Sequence, residues 1–240
     1  MKVLVFEIWG DYGHFRKFYT TTSPLTFSFP PPPTIAGILG AIYGADKNKN
    51  EYLKIFSYDY CRTTLKIVNP IKKSRMGINL INTKSNYWQL VKTKHHEPRT
   101  QIKAEFLKKP CFRIYVYHEE EKIFNNLLQS IKEHKCVYSV SLGLSELLAD
   151  FKFIDIFEAR EMKNEIVELS TPIVASNLVN NELEIETNKE YFKEKMPIKM
   201  NPERVIEIYD DVIYEPDGRT IRAKVKTYYK LGNGENVAFF

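Results

Sequence analysis

Lys2–Trp9 (KVLVFEIW) is apolar at almost every position and rich in Val, Ile and aromatic side chains, which predicts a mostly buried strand. Residues 10–22 then break the pattern, with His14, Arg16 and Lys17 set between Tyr12, Phe15, Phe18 and Tyr19. Four consecutive prolines, Pro30 to Pro33, force extended backbone and exclude a sheet centre. Thr34 follows as the expected N-cap of a helix whose Ile35, Ile38, Leu39 and Ile42 form one apolar stripe. Gly37 and Gly40 each cost about 1 kcal/mol against alanine inside such a helix. Their presence predicts very close packing of this helix on a sheet or on another chain. Residues 50–56 continue as a second short helix.

Residues 60–68 (YCRTTLKIV) alternate and are β-branched, so they read as a second strand. Residues 71–101 lack a sustained apolar face and contain Gly77 and Pro98, which marks an inserted hairpin or long excursion. An excursion of this length in a compact domain points to function. A third strand lies within 102–118, clearest at 111–117 (CFRIYVY). Residues 119–135 form an amphipathic helix burying Ile123, Phe124, Leu127, Leu128 and Ile131, with acids at its start and bases at its end. After a turn over 138–150, residues 151–159 alternate as a fourth strand.

The resulting order, β-α-β-β-α-β, is the ferredoxin-like split βαβ arrangement, here with a basic insertion between strands two and three. The fold class is α+β. Beyond Arg160 the helical signal fades. Residues 204–214 and 220–230 read as strands joined by a Glu-Pro-Asp-Gly turn at 215–218, within a small antiparallel β region. The expected division is residues 1–160, with 71–101 inserted, and a β-rich part over 161–240.

Charge changes this picture more than composition does. Hydrophobic content of 43% and charged content of 27% are ordinary for a globular chain. The net charge is +5, yet residues 71–103 hold eight Lys/Arg against one acid. Residues 155–215 hold fifteen acids against seven bases. One face for a polyanion and another that avoids it would produce this segregation, as would a well-solvated loop. No apolar run approaches the ~20 residues of a membrane span. Glu7 and Asp11 interrupt the N-terminal apolar run, so no signal peptide and no membrane partner are expected. Three widely spaced cysteines fit neither a zinc pattern nor a disulfide framework, which favours a reducing cytoplasm.

Enzyme signatures are sparse. His95-His96-Glu97 is the tempting metal motif, but adjacent strand residues point to opposite faces and cannot readily chelate one ion. No nucleotide-binding glycine motif and no nucleophile elbow is present, so neither a metal nor a cofactor is expected. What remains is basic side chains interleaved with aromatics. Lys72, Lys73, Arg75, Lys92, Lys94 and Arg99 surround Tyr87 and Trp88. Cations neutralise phosphates and exposed rings stack on unpaired bases, so this cluster favours nucleic acid. For Tyr87 and Trp88 the plainer alternative is that they pin the hairpin to the body.

Four pieces of sequence, in order, now resemble one family. They are the aromatic-Gly-loop-Arg segment at 9–16 (WGDYGHFR), the proline-glycine helix entry at 28–44 (SFPPPPTIAGILGAIYG), residues 99–117 beginning Arg99-Thr-Gln101, and residues 138–146 (YSVSLGLSE). Together they resemble the CRISPR-associated RAMP family numbered five; the last third of the chain resembles it only loosely. The resemblance implies a subunit of a type I surveillance complex (Cascade), and the β-rich C-terminus points toward subtype I-B. In that family a ferredoxin-like RAMP domain grips the five-prime handle of the guide RNA. A thumb hairpin inserted between strands two and three reaches the neighbouring backbone subunit, and residues 71–101 occupy its position. The large subunit would be a further partner.

Carried over by position, Gly10, Gly13 and Arg16 belong to the loop near the handle, and the whole Gly10–Lys17 loop, with His14 and Lys17, is expected to hold the handle's phosphates; Lys72, Lys73, Arg75, Tyr87, Trp88, Lys92, Lys94, Arg99 and Gln101 of the basic excursion are the other expected RNA contacts. One branch of the family is a metal-independent endoribonuclease. That chemistry needs a base, an acid and a cation for the phosphorane, for which Tyr43, Lys94 and His95 are the available set. A non-catalytic RNA-binding scaffold needs only charge and stacking, and is the expected function.

Overall fold

The computed structural model describes residues 1–81 and 99–240. The chain opens with β1 (Lys2–Trp9), β2 (Tyr12–Gly13), α1 (Pro32–Tyr43) and the short α2 (Tyr52–Ile55). It continues through β3 (Cys61–Ile67), β4 (Lys73–Ile81), β5 (Arg99–Lys108), β6 (Cys111–His118) and α3 (Glu121–Lys132). The remainder is β7 (Asp150–Leu169), β8 (Ile173–Val174), β9 (Leu178–Leu183), β10 (Phe192–Met200), β11 (Ile206–Tyr214), β12 (Ile221–Leu231) and β13 (Asn236–Val237).

β1 lies at the centre of the main sheet, antiparallel to β6 on one side and to β7 on the other, and β3 closes the order β7-β1-β6-β3. Its Leu4, Phe6 and Ile8 join the core beneath α1 and α3, while Val3 and Val5 are buried on the opposite face. Burial on both faces explains why Val3 to Phe6 are apolar in succession and do not alternate.

α1 begins differently from the expectation at Thr34. Pro31 is the N-cap and Pro32 and Pro33 occupy the first helical positions. Proline fits there because its φ is already helical and its missing N–H would have no partner. The apolar stripe Ile35, Ile38, Leu39 and Ile42 is buried in the core as predicted. The glycine side faces α2 and not the sheet: a Cβ on Gly40 would lie 2.5 Å from the Cβ of Tyr52.

The third predicted strand is two strands in different sheets. Lys109 adopts a φ of 47° and its N–H donates to Asp11 O at 2.7 Å. Pro110 brings no N–H to continue a ladder. β5 therefore belongs to a separate sheet of order β2-β5-β4, and β6 to the main one. α3 follows as predicted, with Phe124, Leu127 and Ile131 buried.

β7 is twenty residues long and runs straight through residue 160, the expected division. Residues 150–158 pair with β1 and residues 159–169 pair with β12. The main sheet thus continues as β13-β12-β7-β1-β6-β3, with β9 alongside β12. The strands predicted around the turn at 215–218 both form but do not pair with each other. β11 sits between β10 and β8 in a third sheet, and β12 joins β7. The turn is held from within by the buried carboxylate of Glu215, which accepts from Arg219 Nε at 2.9 Å and from the Asp217 and Arg219 backbone.

Candidate nucleic-acid interface

β4 and β5 form an antiparallel ribbon in the register Lys73↔Leu107 to Ile81↔Arg99. Alternation along the strands sorts their side chains into two faces. One carries Arg75, Gly77, Asn79 and Ile81 with Arg99, Gln101, Lys103 and Glu105; the other carries Met76, Ile78 and Leu80 with Thr100, Ile102, Ala104 and Phe106. Ala104 and Phe106 are buried where the ribbon joins the body, whereas Leu80 and Ile81 are exposed farther out.

The polar face is predominantly cationic. Arg75 stands 3.9 Å from Glu105 with 71% of its side chain exposed, a spacing worth little in water. Arg99 and Lys103 are exposed and form no ion pair among the described residues. Lys72 is also exposed, next to the ribbon's start. Guanidinium and ammonium groups presented this way neutralise phosphates, and Arg can do so through two parallel hydrogen bonds.

The N-terminal loop is placed otherwise. His14 is 4% exposed, with Nδ1 2.6 Å from Glu105 O, so its ring is engaged within the protein. Lys17 Nζ lies 3.1 Å from Glu194 Oε1, with both side chains 12% exposed. Burial pulls the Lys17 ammonium down, but the charge and hydrogen bond of Glu194 more than offset this and leave it raised. Lys73 donates to Thr26 O at 3.1 Å and lies 3.5 Å from the same Glu194, so it too is engaged internally. Ser28 completes the junction through its N–H and hydroxyl, both donating to Glu194.

Gly10 and Gly13 also serve the protein's own packing. A Cβ on Gly10 would sit 2.8 Å from Leu148 O, and one on Gly13 would sit 3.3 Å from Pro110. The segment pressed against them is 139–149, itself locked by Gly143, whose φ is +102° and whose added Cβ would fall 1.9 Å from His14 O. Of the loop's predicted contacts, only Arg16 is exposed; its Nη2 donates to Thr20 O at 2.9 Å and closes the loop.

Tyr43 ends α1 half-buried, edge-on to Phe56 at 5.7 Å. Its proposed companions Lys94 and His95, together with Tyr87, Trp88 and Lys92, lie outside the described residues. Among the described residues no group of three His, Cys, Asp or Glu is arranged to hold a metal ion. No described helix is long and apolar enough to cross a membrane. Lys103 was missed in the sequence reading, although its parity with Arg99 and Gln101 across the half-buried Ile102 marks it as a member of the same face.

The family model described as CRISPR-associated protein (Cas_Cas5) matches residues 3–206. The chain belongs to this family. A chain of a CRISPR RNA-guided surveillance complex superimposes with a TM-score of 0.52 at 11% identity, over 97% of this chain and 92% of that one. A CRISPR protein from Archaeoglobus fulgidus gives 0.57 at 15% identity, over 99% and 98%. At these identities the likeness is one of fold. A search of curated protein sequences finds no match.

In this member of the Cas5 family the face of the main sheet away from the helices is closed. Arg113 Nε and Nη2 donate to Glu7 Oε1 at 3.1 and 2.8 Å. Lys66 Nζ donates to Glu235 Oε1 at 2.6 Å, and the Tyr115 hydroxyl donates to Glu235 Oε2 at 3.0 Å. Burial pushes the Glu235 carboxyl up, but Lys66, Tyr115 and Asn233 outweigh it and hold the carboxyl below its usual range. Burial, and then Glu235, pushes the Tyr115 phenol up. Arg62 donates to the Tyr229 hydroxyl farther along the same face. Lys66, Arg113 and Arg62 thus each have an internal acceptor on this face.

Proposed function

We propose that this chain is the RNA-binding scaffold subunit of a type I CRISPR surveillance complex, working in the cytoplasm. On this reading its core is the ferredoxin-like RAMP domain, its β4–β5 ribbon is the base of the thumb, and its partners are the guide RNA, the backbone RAMP subunit and the large subunit. Family membership and the antiparallel order β7-β1-β6-β3, with α1 and α3 on the crossovers, support the architecture. The observation that carries the RNA reading is the ribbon's polar face. Arg75, Arg99, Lys103 and the hydrogen-bonding Gln101 stand exposed there, opposed among the described residues only by Glu105. Such a face suits the handle's phosphates, with Lys72, next to β4 in sequence, to extend it.

The test is a salt titration of guide-RNA binding by the purified chain, followed by incubation of the complex in chelator. Tight binding that weakens steeply with salt, with the RNA left intact, is the expected result. Affinity independent of salt, or specific cleavage in chelator, would sink the scaffold reading.

A further inference from the structure

Three aromatic rings lie open to solvent where the N-terminal loop meets β11. Phe18, Tyr19 and Tyr209 are 49%, 58% and 39% exposed. Phe18 meets Tyr19 edge-on at 5.1 Å and Tyr209 tilted at 4.9 Å, so the three form one cluster from two distant segments. The loop is not free to swing. Its Lys17 N–H donates to Leu25 O, its Lys17 ammonium pairs with Glu194 on β10, and Arg16 bridges to Thr26. A fixed, water-facing aromatic cluster has no role in this fold's own core, and its solvation is unfavourable.

One lysine stands beside the rings. Lys195 Nζ lies 5.9 Å from the Tyr209 ring centre and makes no ion pair among the described residues. The neighbouring carboxylates of Glu194 and Asp211 are engaged by Lys17 and by Lys193 at 3.0 Å. The same two segments also supply Arg16 and Arg204, which line one cleft of about 310 Å³ with His14, Thr34 and Gly143 and without a carboxylate. The aromatic cluster and the two-arginine cleft are built from the same two segments, and together they offer the two halves of a nucleotide site, one for a flat base and one for an anionic phosphate.

We propose that Phe18, Tyr19 and Tyr209 stack an unpaired base of single-stranded RNA, and that Arg204, beside Arg16, takes the adjoining phosphate. This rests on the RNA-binding reading above and adds to it a second contact, remote in sequence from the β4–β5 ribbon and contributed partly by the β10–β11 turn.

The experiment uses the full chain and a short single-stranded RNA carrying a fluorescent purine analogue whose emission falls on stacking. Stacking is expected to quench the bound probe. Phe18→Leu/Tyr209→Leu keeps apolar area but removes the rings; it should lower affinity about tenfold, abolish quenching and leave the salt slope unchanged. Tyr209→Phe should behave as the parent. Arg204→Gln should reduce the salt slope by about 0.7, the increment of one phosphate contact on a single strand. Unchanged affinity and quenching in the double leucine variant would overturn the inference while leaving RNA binding in place. So would normal RNA affinity combined with poorer assembly on another subunit, which would assign the cluster to a protein partner. Absence of RNA binding by the parent would overturn both readings.

Discussion

Lys66 and Arg113 on the main sheet, and Arg75, Arg99 and Lys103 on the β4–β5 ribbon, are similar side chains in two settings. On the sheet each base meets a carboxylate at hydrogen-bonding distance, Glu235 at 2.6 Å and Glu7 at 2.8 Å. On the ribbon the nearest acid to Arg75 is 3.9 Å away, and Arg99 and Lys103 have none among the described residues. The sheet cations neutralise half-buried charge, and Lys66 holds the C-terminal turn down; the ribbon cations meet no such close acid among the described residues, which under the proposed function leaves them to an external polyanion. Basic residues become a binding surface only where the fold withholds their acids.

The largest effect should come from removing the free set. Arg75→Ala/Arg99→Ala/Lys103→Ala is expected to lower guide-RNA affinity about a hundredfold and to reduce the salt slope by about 2. Its unfolding transition should stay within experimental scatter of the parent, because none of the three is buried. If affinity and slope survive, the contrast between the two regions has no functional meaning. Next in size is Arg113→Ala, which leaves Glu7 without its partner in a half-buried site. A loss of about 2 kcal/mol in denaturant unfolding is expected, with RNA affinity unchanged. RNA affinity falling in step with stability would place Arg113 at the interface and break the comparison from the other side.

What could be read in advance followed from local periodicity. The stripe of α1, the buried face of α3 and the double-sided burial of β1 are encoded in neighbouring residues, as is the basic character of Arg75, Arg99 and Gln101's strand. What escaped was non-local. Lys17 and Lys73 look as available in sequence as Arg75, and only the fold brings Glu194 to them. Gly10 and Gly13 mark close approach, but the approaching groups are Leu148, Leu142 and Pro110 of the same chain. β7 changes partner from β1 to β12 at residue 159 with no break in its own pattern, so nothing local marks the join. Phe18, Tyr19 and Tyr209 read as ordinary aromatics until two segments are brought together at 4.9 Å.

A smaller effect separates the regions by pH. Glu235 has a folded value held below the ordinary carboxylate range, against the push of burial. Its contribution to stability is therefore complete above the unfolded value of about 4.3 and is lost as pH falls through the lower folded value. Glu235→Gln should remove that acid-limb slope from a plot of stability against pH while lowering stability near neutrality. Binding carried by arginine and lysine side chains is expected to leave RNA affinity flat between about pH 5 and 8. A parent whose acid limb matches that of Glu235→Gln would show that the turn is not held by this carboxylate.

The smallest effect is a labelling pattern. Cys111 shares the closed face with Arg113; burial, and then Glu7, raises its thiol to about 11, with Arg113 opposing. Cys61 is pushed up to about 12 by burial alone, and Cys136 is exposed. A thiol reagent near neutral pH should therefore modify Cys136 quickly and the other two slowly, because both thiolate fraction and access disfavour them. Arg113→Ala makes the two factors pull apart. It removes the cation that favours the Cys111 thiolate, so with the face still covered the reaction should slow further. Faster labelling of Cys111 can then arise only from improved access. That result would mean that the Arg113–Glu7 pair itself keeps the face shut; slower labelling would assign closure to the β12–β13 turn carrying Glu235.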